Sequence, residues 1–128
     1  MTIYEWLVSK INSSTSISAI TTDVLPEYSD NITPPFLLYY DTGFNRNLLE
    51  RNTILAVRSV HNSKADMESL NTLLYDLFDT STAYIRESSS NLNVDSVSII
   101  NNSASGYDET NKTYWKDLEL SIWYNIRR

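Results

Sequence analysis

Apolar residues recur at helical spacing near the start of the chain. Ile3, Leu7 and Ile11 are separated by four residues each, which places them on one face of a helix. Thr2 and Glu5 precede and enter this stretch as a Thr-x-x-Glu capping box, in which each side chain satisfies a free backbone amide of the first turn. The pattern predicts a first helix that stops in the polar run 12–16, whose side chains compete for backbone hydrogen bonds.

A longer stretch of the same kind begins after Ser63, a suitable capping residue. Its apolar residues repeat at offsets of three and four: Met67, Leu70, Leu73, Leu74, Leu77 and Phe78. The pattern predicts an amphipathic helix of about four turns. We expect its polar residues to face water: Glu68, Asn71, Thr72 and Asp76.

Four segments show the composition or the alternation of strands. They are residues 36–40, 53–60, 94–100 and 114–125. The last has the clearest period of two, with Leu118, Leu120, Ile122 and Tyr124 on one face and Asp117, Glu119, Ser121 and Trp123 on the other. The second is apolar on both faces, so we expect part of it to be covered on both sides.

The remaining segments are predicted to be connections. Ile17, Ala19 and Ile20 indicate one further helical turn after the first helix. Residues 21–35 and 80–93 are polar or proline-containing and are expected to be irregular. Residues 41–52 form an extended loop between two antiparallel strands, and residues 101–113 form a long hairpin tip. The prediction is one α+β domain over residues 1–128. It is a two-layer sandwich with a mostly antiparallel four-stranded sheet on two helices, in the order α-β-β-α-β-β.

Composition narrows the chemistry. The 128 residues include no cysteine, which excludes disulfides, thiolate metal sites and a cysteine nucleophile. The formal net charge of -6 disfavours nonspecific binding to nucleic acid or anionic lipid. No signal peptide and no transmembrane run are visible, so we expect an intracellular product without a membrane partner.

Candidate catalytic groups are few. The single histidine, His61, lies near Ser59, Ser63 and Asp66 in sequence, so a serine-hydrolase arrangement is conceivable. No Gly-x-Ser-x-Gly elbow supports it, and a polar residue at a strand end explains His61 more simply. The two glycines do not form a phosphate-binding loop, so no nucleotide cofactor is expected.

Two acidic pairs, Asp108 with Glu109 and Asp76 with Asp79, lack partners at ligand spacing, and we predict no metal site. The nine tyrosines and three tryptophans favour a core and a protein interface over sugar or base stacking, because many lie in predicted strands and basic residues are scattered.

The two long connections are the best candidates for a partner surface. The first carries apolar Leu48 and Leu49 between Arg46 and Arg51, an apolar centre with a charged rim. The second carries Tyr107 as its only large side chain, followed by Asp108. We predict that these six residues contact other subunits or partners.

The chain resembles the tail completion proteins of long-tailed bacteriophages, often called tail terminators. The resemblance lies in the start Met-Thr-Ile-Tyr-Glu-Trp-Leu, in residues 17–26 and 34–39, in the amphipathic helix after the second strand, and in the closing strand around residues 118–124. It covers nearly all of the chain and consists of element order and apolar patterns.

The resemblance implies a non-enzymatic virion protein, made in the host cytoplasm. It would form a ring, usually a hexamer, at the head-proximal end of the tail tube, where it ends tube growth and meets the head-tail connector or stopper protein. DNA would pass through the ring as cargo. Other small neck proteins, stoppers or adaptors, share this size and character and are the alternative. A small His61-dependent hydrolase and an adaptor for a host protein are the competing hypotheses from other classes.

Overall fold

Both predicted helices form, and each begins after its predicted capping residue. A computed structural model of the chain describes residues 1–27, 32–46, 51–81, 83–89 and 91–126, with the backbone alone at 44–46. In this structure helix α1 spans Ile3–Asn12. A single turn, α2, spans Thr15–Ser18, and helix α3 spans Lys64–Phe78. The capping box is present: Thr2 Oγ1 accepts from the Glu5 amide at 3.1 Å, and Glu5 Oε1 accepts from the Thr2 amide at 3.3 Å.

Seven strands form one mixed, strongly curled sheet. In chain order they are β1 Val24–Pro26, β2 Phe36–Arg46, β3 Arg51–His61, β4 Glu87–Ser89, β5 Leu92–Asn101, β6 Ser105–Asp108 and β7 Thr113–Ile126. The spatial order is β1-β2-β3-β7-β5-β4, and β6 pairs with the first residues of β7. β1 is parallel to β2, and the other pairs are antiparallel.

The α+β class is therefore confirmed, but the prediction of four strands on two helices is wrong. The four long predicted strands are present as β2, β3, β5 and β7. The additional strands β1, β4 and β6 are three or four residues long and form within segments predicted to be connections. Such short edge strands are held by backbone pairing with a longer neighbour, and their side chains need no alternating pattern.

The predicted loop over residues 41–52 is also mostly strand. β2 continues to Arg46 and β3 begins at Arg51, with paired residues on both sides and a bulge between Asp41 and Gly43. The alternation is weak there because this end of the hairpin is polar. Similarly, β6 occupies part of the predicted hairpin tip over residues 101–113.

One face of the sheet is covered by the helices. Leu55 and Val57 of β3 are fully buried on this face, and Ala56 and Val60 are buried on the other, which confirms that part of β3 is covered on both sides. The core joins buried residues of helices and strands: Ile3, Trp6, Leu7, Ile11, Ile17, Val24, Leu37, Leu55, Val57, Leu70, Leu74, Phe78, Leu92, Val94, Val97, Leu118, Leu120 and Ile122.

Asn71 of α3 was predicted to face water, and this is wrong. Its side chain is buried and exchanges two amide hydrogen bonds with Asn102, at 2.9 and 3.0 Å. A buried amide with both groups paired carries little desolvation cost, so polarity alone did not indicate its position.

Candidate functional site

The sheet face opposite the helices carries a groove of about 580 Å³. We call it the outer groove. It lies over β2, β3 and the first residues of β7, and its rim includes the turn that follows β6. The lining residues are Ile32, Pro34, Phe36, Leu38, Arg58, Val60, Asp108, Asn111, Thr113 and Trp115.

Arg58 lines the outer groove and forms an ion pair with Asp117, which is buried beside it on β7. Arg58 and Asp117 face each other in the β3–β7 register, and the guanidinium donates from Nε to Asp117 Oδ1 at 2.8 Å and from Nη2 to Oδ2 at 3.1 Å. Asp117 also accepts a hydrogen bond from the Tyr40 hydroxyl. The guanidinium carbon lies 4.0 Å from the centre of the Trp115 ring. The bidentate hydrogen bonds to Asp117 and the cation–π contact with Trp115 thus fix the orientation of the Arg58 guanidinium.

In this ion pair the positive charge of Arg58 and the negative charge of Asp117 compensate each other. Hydrogen bonds to Asp117 raise the pKa of Arg58, so the guanidinium stays charged. Burial, followed by the hydrogen bond to Asp117, raises the pKa of Tyr40 to about 12, so the phenol stays neutral. Because Asp117 compensates the Arg58 charge, the two side chains together add no net charge beside the groove.

The alternation in the last strand predicts Asp117 on the face opposite Leu118 and Leu120, and this is confirmed, but that face is not open to water at Asp117. Asp117 is only 5% exposed. The curled sheet and its partners Arg58 and Tyr40 enclose it.

β6 closes one side of the outer groove. Gly106 lies opposite Trp115, and a Cβ at this position would be 2.7 Å from Trp115 Cζ2, so the glycine permits the close approach. Tyr107 is half-exposed and its ring centre is 4.7 Å from that of Tyr114. Asp108 lies on the rim.

Asp108 is fixed in place by the turn that follows it. Its Oδ1 accepts from the backbone amides of Thr110 at 3.0 Å and Asn111 at 3.2 Å, and its Oδ2 accepts from Asn111 Nδ2 at 2.8 Å. These bonds, chiefly those from Asn111, lower the pKa of Asp108. The carboxylate is therefore a permanent negative charge on the rim. The pairing of β6 with β7 alternates faces, so Asp108 and Tyr107 point to opposite sides.

The predicted interface residues do not form one site. Arg51 is half-buried and lines a second depression with Tyr4, Gly43 and Tyr124, at the opposite end of β3 from the outer groove. Arg51 and Arg58 are seven positions apart on an extended strand, which corresponds to roughly 23 Å. Leu48 and Leu49 lie outside the described residues, and only the backbone of Arg46 is described.

The hydrolase arrangement is not assembled. Ser59 is fully buried on the helix-covered side of β3, and Ser63 Oγ accepts from the Asp66 amide at 3.4 Å as the cap of α3. His61 Nδ1 accepts from the Ser63 amide at 3.4 Å, whereas a catalytic histidine donates from this atom to its carboxylate. His61 and its neighbours are accounted for by the start of a helix.

One carboxylate of each predicted acidic pair accepts hydrogen bonds from the backbone of its own turn. Asp79 accepts from the Ser81 amide at 3.0 Å, and Asp108 holds its own turn. Across the described ranges, no three acidic or histidine side chains gather as a metal site would require. None of the described helices has the length and apolarity to cross a bilayer.

Sequence reasoning missed the central pair, Arg58 and Asp117, and also Trp115 above it. The available signal was one charged residue of each sign, Arg58 and Asp117, within two strands rich in apolar residues. Their pairing could not be read from the sequence, because it depends on the register between β3 and β7.

Comparison with known proteins gives one informative result. No protein-family model matches the chain, and no curated protein matches it. Among solved structures, the fold is similar to that of a chain described as "Virion of native gene transfer agent (GTA) particle". The TM-score is 0.70 and the sequence identity is 6%, over 95% of this chain and 93% of that chain. The two chains share a fold.

Proposed function

We propose that this protein is a non-enzymatic structural component of a phage-like virion. The observation that carries the proposal is the near-complete structural match to a chain from a gene transfer agent virion, because it spans both proteins almost end to end. The sequence resemblance to tail terminators, which concerns element order and apolar patterns, supports the same class independently of that match.

More specifically, the protein forms a ring at the head-proximal end of the tail tube. There it ends tube growth and presents a surface to the head-tail connector or stopper protein, while DNA passes through the ring. The net charge of -6 fits this role, because a negatively charged ring does not bind the negatively charged DNA that passes through it. The number of subunits expected from the resemblance is six.

Closing a ring requires two different surfaces on each subunit, and the fold offers them. The outer groove with β6 lies at one end of β3, and the hairpin of β2 and β3 lies at the other. β1 pairs only with Leu37, Leu38 and Tyr39 of β2, so in the described part of the chain the rest of that edge has no strand beside it. Such an edge is available to a neighbouring molecule.

The proposed contact residues are those indicated by the sequence. On the hairpin they are Arg46, Leu48, Leu49 and Arg51, and beside the groove they are Tyr107 and Asp108. Leu48 and Leu49 supply the apolar centre, and the arginines and Asp108 supply the charged rim.

The experiment that tests this function is tube assembly in the presence and absence of the protein. Tail tube protein alone should form tubes of unlimited length, and adding this protein should give capped tubes with a ring density at one end in negative-stain electron microscopy. The variant Leu48→Asp with Leu49→Asp should leave the subunit folded by circular dichroism and remove the cap. Rings that bind a head connector but never a tube would favour a stopper or adaptor instead, and no binding to either would overturn the virion role.

A further inference from the structure

Tyr84 is 93% exposed, the highest value among the exposed large apolar and aromatic side chains of the described chain. Its neighbour Ile85 is partly buried and packs against the core, and the next residue, Arg86, is exposed again. This alternation directs the Tyr84 ring and the Arg86 guanidinium away from the molecule while Ile85 anchors the backbone. We call residues 84–86 the Tyr84 segment.

Residues on either side of the Tyr84 segment contact the rest of the molecule. Before it, Thr80 Oγ1 donates to the Val97 carbonyl of β5 at 3.2 Å. After it, the Glu87 carboxylate accepts from Trp6 Nε1 at 3.0 Å and pairs with Lys10 of α1. The contacts of Ile85 and Glu87 restrain the backbone next to the exposed Tyr84 ring, which lessens the conformational entropy lost when a partner covers the ring.

The outer groove has the shape and chemistry to receive such an anchor. Six of its ten lining residues are apolar or aromatic, among them Phe36 and Trp115, and the other four are polar, so the groove can contact both the ring and the hydroxyl of a tyrosine. Its volume is about 580 Å³. The guanidinium of Arg58 in the groove is already paired with Asp117, so an entering phenol ring does not leave a buried cation without a partner. The carboxylate of Asp108 on the rim would attract a positively charged side chain that lies next to the entering ring.

The Tyr84 segment and the outer groove cannot meet within one molecule. Glu87, which follows the segment, binds α1 on the helix-covered side of the sheet, whereas the groove lies on the opposite face. β4, which begins at Glu87, is separated from β3 by β5 and β7. A contact between them joins two chains through different surfaces, which is the arrangement that closes a ring.

We infer that Tyr84 of one copy inserts into the outer groove of the next, with Arg86 beside Asp108 on its rim. The inference rests on the proposed ring and names one contact that closes it. Each copy carries a net charge of -6, so copies repel one another at long range, and a local pair of opposite charge sets the register of the contact.

Chemical cross-linking tests the contact directly, because the chain has no cysteine of its own. The double variant Ala83→Cys with Asn111→Cys places one thiol at the exposed residue before Tyr84 and one on the rim of the outer groove, and it keeps the tyrosine itself. Treatment with a short bis-maleimide should produce a ladder of covalent oligomers on a denaturing gel. Each single variant should give dimers at most. The control pair Tyr75→Cys with Asn111→Cys, in which the thiol lies on the exposed side of α3, should give no ladder.

Two further variants measure the strength of the contact. Tyr84→Ala should raise the concentration of half-assembly by about 30-fold, the effect of removing an interface hot spot, while Tyr75→Ala should leave it unchanged. Arg86→Glu should raise it by about fivefold, and Lys64→Glu, an equal charge change on α3, should not.

The outcomes separate the contact from the function. A ladder specific to the cysteine pair at positions 83 and 111 supports the contact, even if the oligomer fails to cap tubes, in which case the terminator role alone is overturned. Rings that assemble without that ladder and tolerate Tyr84→Ala overturn the contact and leave the ring intact. Chains that never associate, at any concentration or with tube protein, overturn both.

Discussion

Replacing Asp117 by asparagine removes the buried partner of Arg58, a residue that lines the outer groove, while keeping the size of the side chain. Asp117 accepts two hydrogen bonds from Arg58 and one from Tyr40, and it is only 5% exposed. In the Asp117→Asn variant the Arg58 guanidinium remains beside Trp115 without its counter-ion. One of the two carboxylate oxygens, which accept hydrogen bonds, becomes an NH₂ group, which donates them.

The magnitude follows from the burial of the two partners. Breaking a buried ion pair by removing one member costs about 3–5 kcal/mol, because the other charge is left uncompensated. The side chain of Arg58 is 32% exposed and can recover part of its hydration, which lowers the expected cost. We expect Asp117→Asn to reduce the free energy of unfolding by about 2–3 kcal/mol.

Urea unfolding followed by tryptophan fluorescence measures this loss as a lower midpoint with an unchanged slope. Tyr40→Phe is the matched control: it removes one hydrogen bond to the same carboxylate and should cost about 1 kcal/mol. The double variant Arg58→Met with Asp117→Leu removes both charges and should be more stable than Asp117→Asn alone. A stability of Asp117→Asn within about 0.5 kcal/mol of wild type would refute the reasoning.

Three other variants test the fold. Leu74→Ala truncates a fully buried core residue of α3 and should cost about 2–5 kcal/mol in denaturant unfolding; a neutral result would mean that the core face of α3 is misassigned. Gly106→Ala forces a methyl group against the Trp115 ring and should cost about 1–3 kcal/mol by the same assay, whereas an unchanged midpoint would show that β6 can move away. The hydrogen bond from Tyr4 to Asp41 raises the pKa of Tyr4 from 10.0 to about 12, so the unfolded chain loses this proton first and stability falls as the pH rises from 10 to 12. Tyr4→Phe should lessen that fall, and identical alkaline profiles for the two proteins would contradict it.

The helices and the long strands could be predicted because their signals are local. The capping box of Thr2 and Glu5 and the apolar stripe through Leu70 and Leu74 depend only on neighbours along the chain. The alternation in β7 placed Leu118 on the core face for the same reason. These features need no knowledge of which strand pairs with which.

The short strands and the outer groove depend on contacts between distant residues. β4 and β6 have polar sequences and exist because β5 and β7 offer them free backbone groups. The ion pair of Arg58 and Asp117 joins residues 59 positions apart and requires the register of β3 on β7. Tyr84 lies in a segment that the sequence indicated only as a polar connection, so its exposure became visible only in the folded chain.

The mass of the purified protein in solution tests the central claim most directly. Light scattering and mass photometry would be applied to the protein alone and after mixing with tail tube protein. The account predicts a closed species of about six subunits, present from the start or formed when tube protein is added. A protein that stays monomeric in both conditions would contradict the proposed ring.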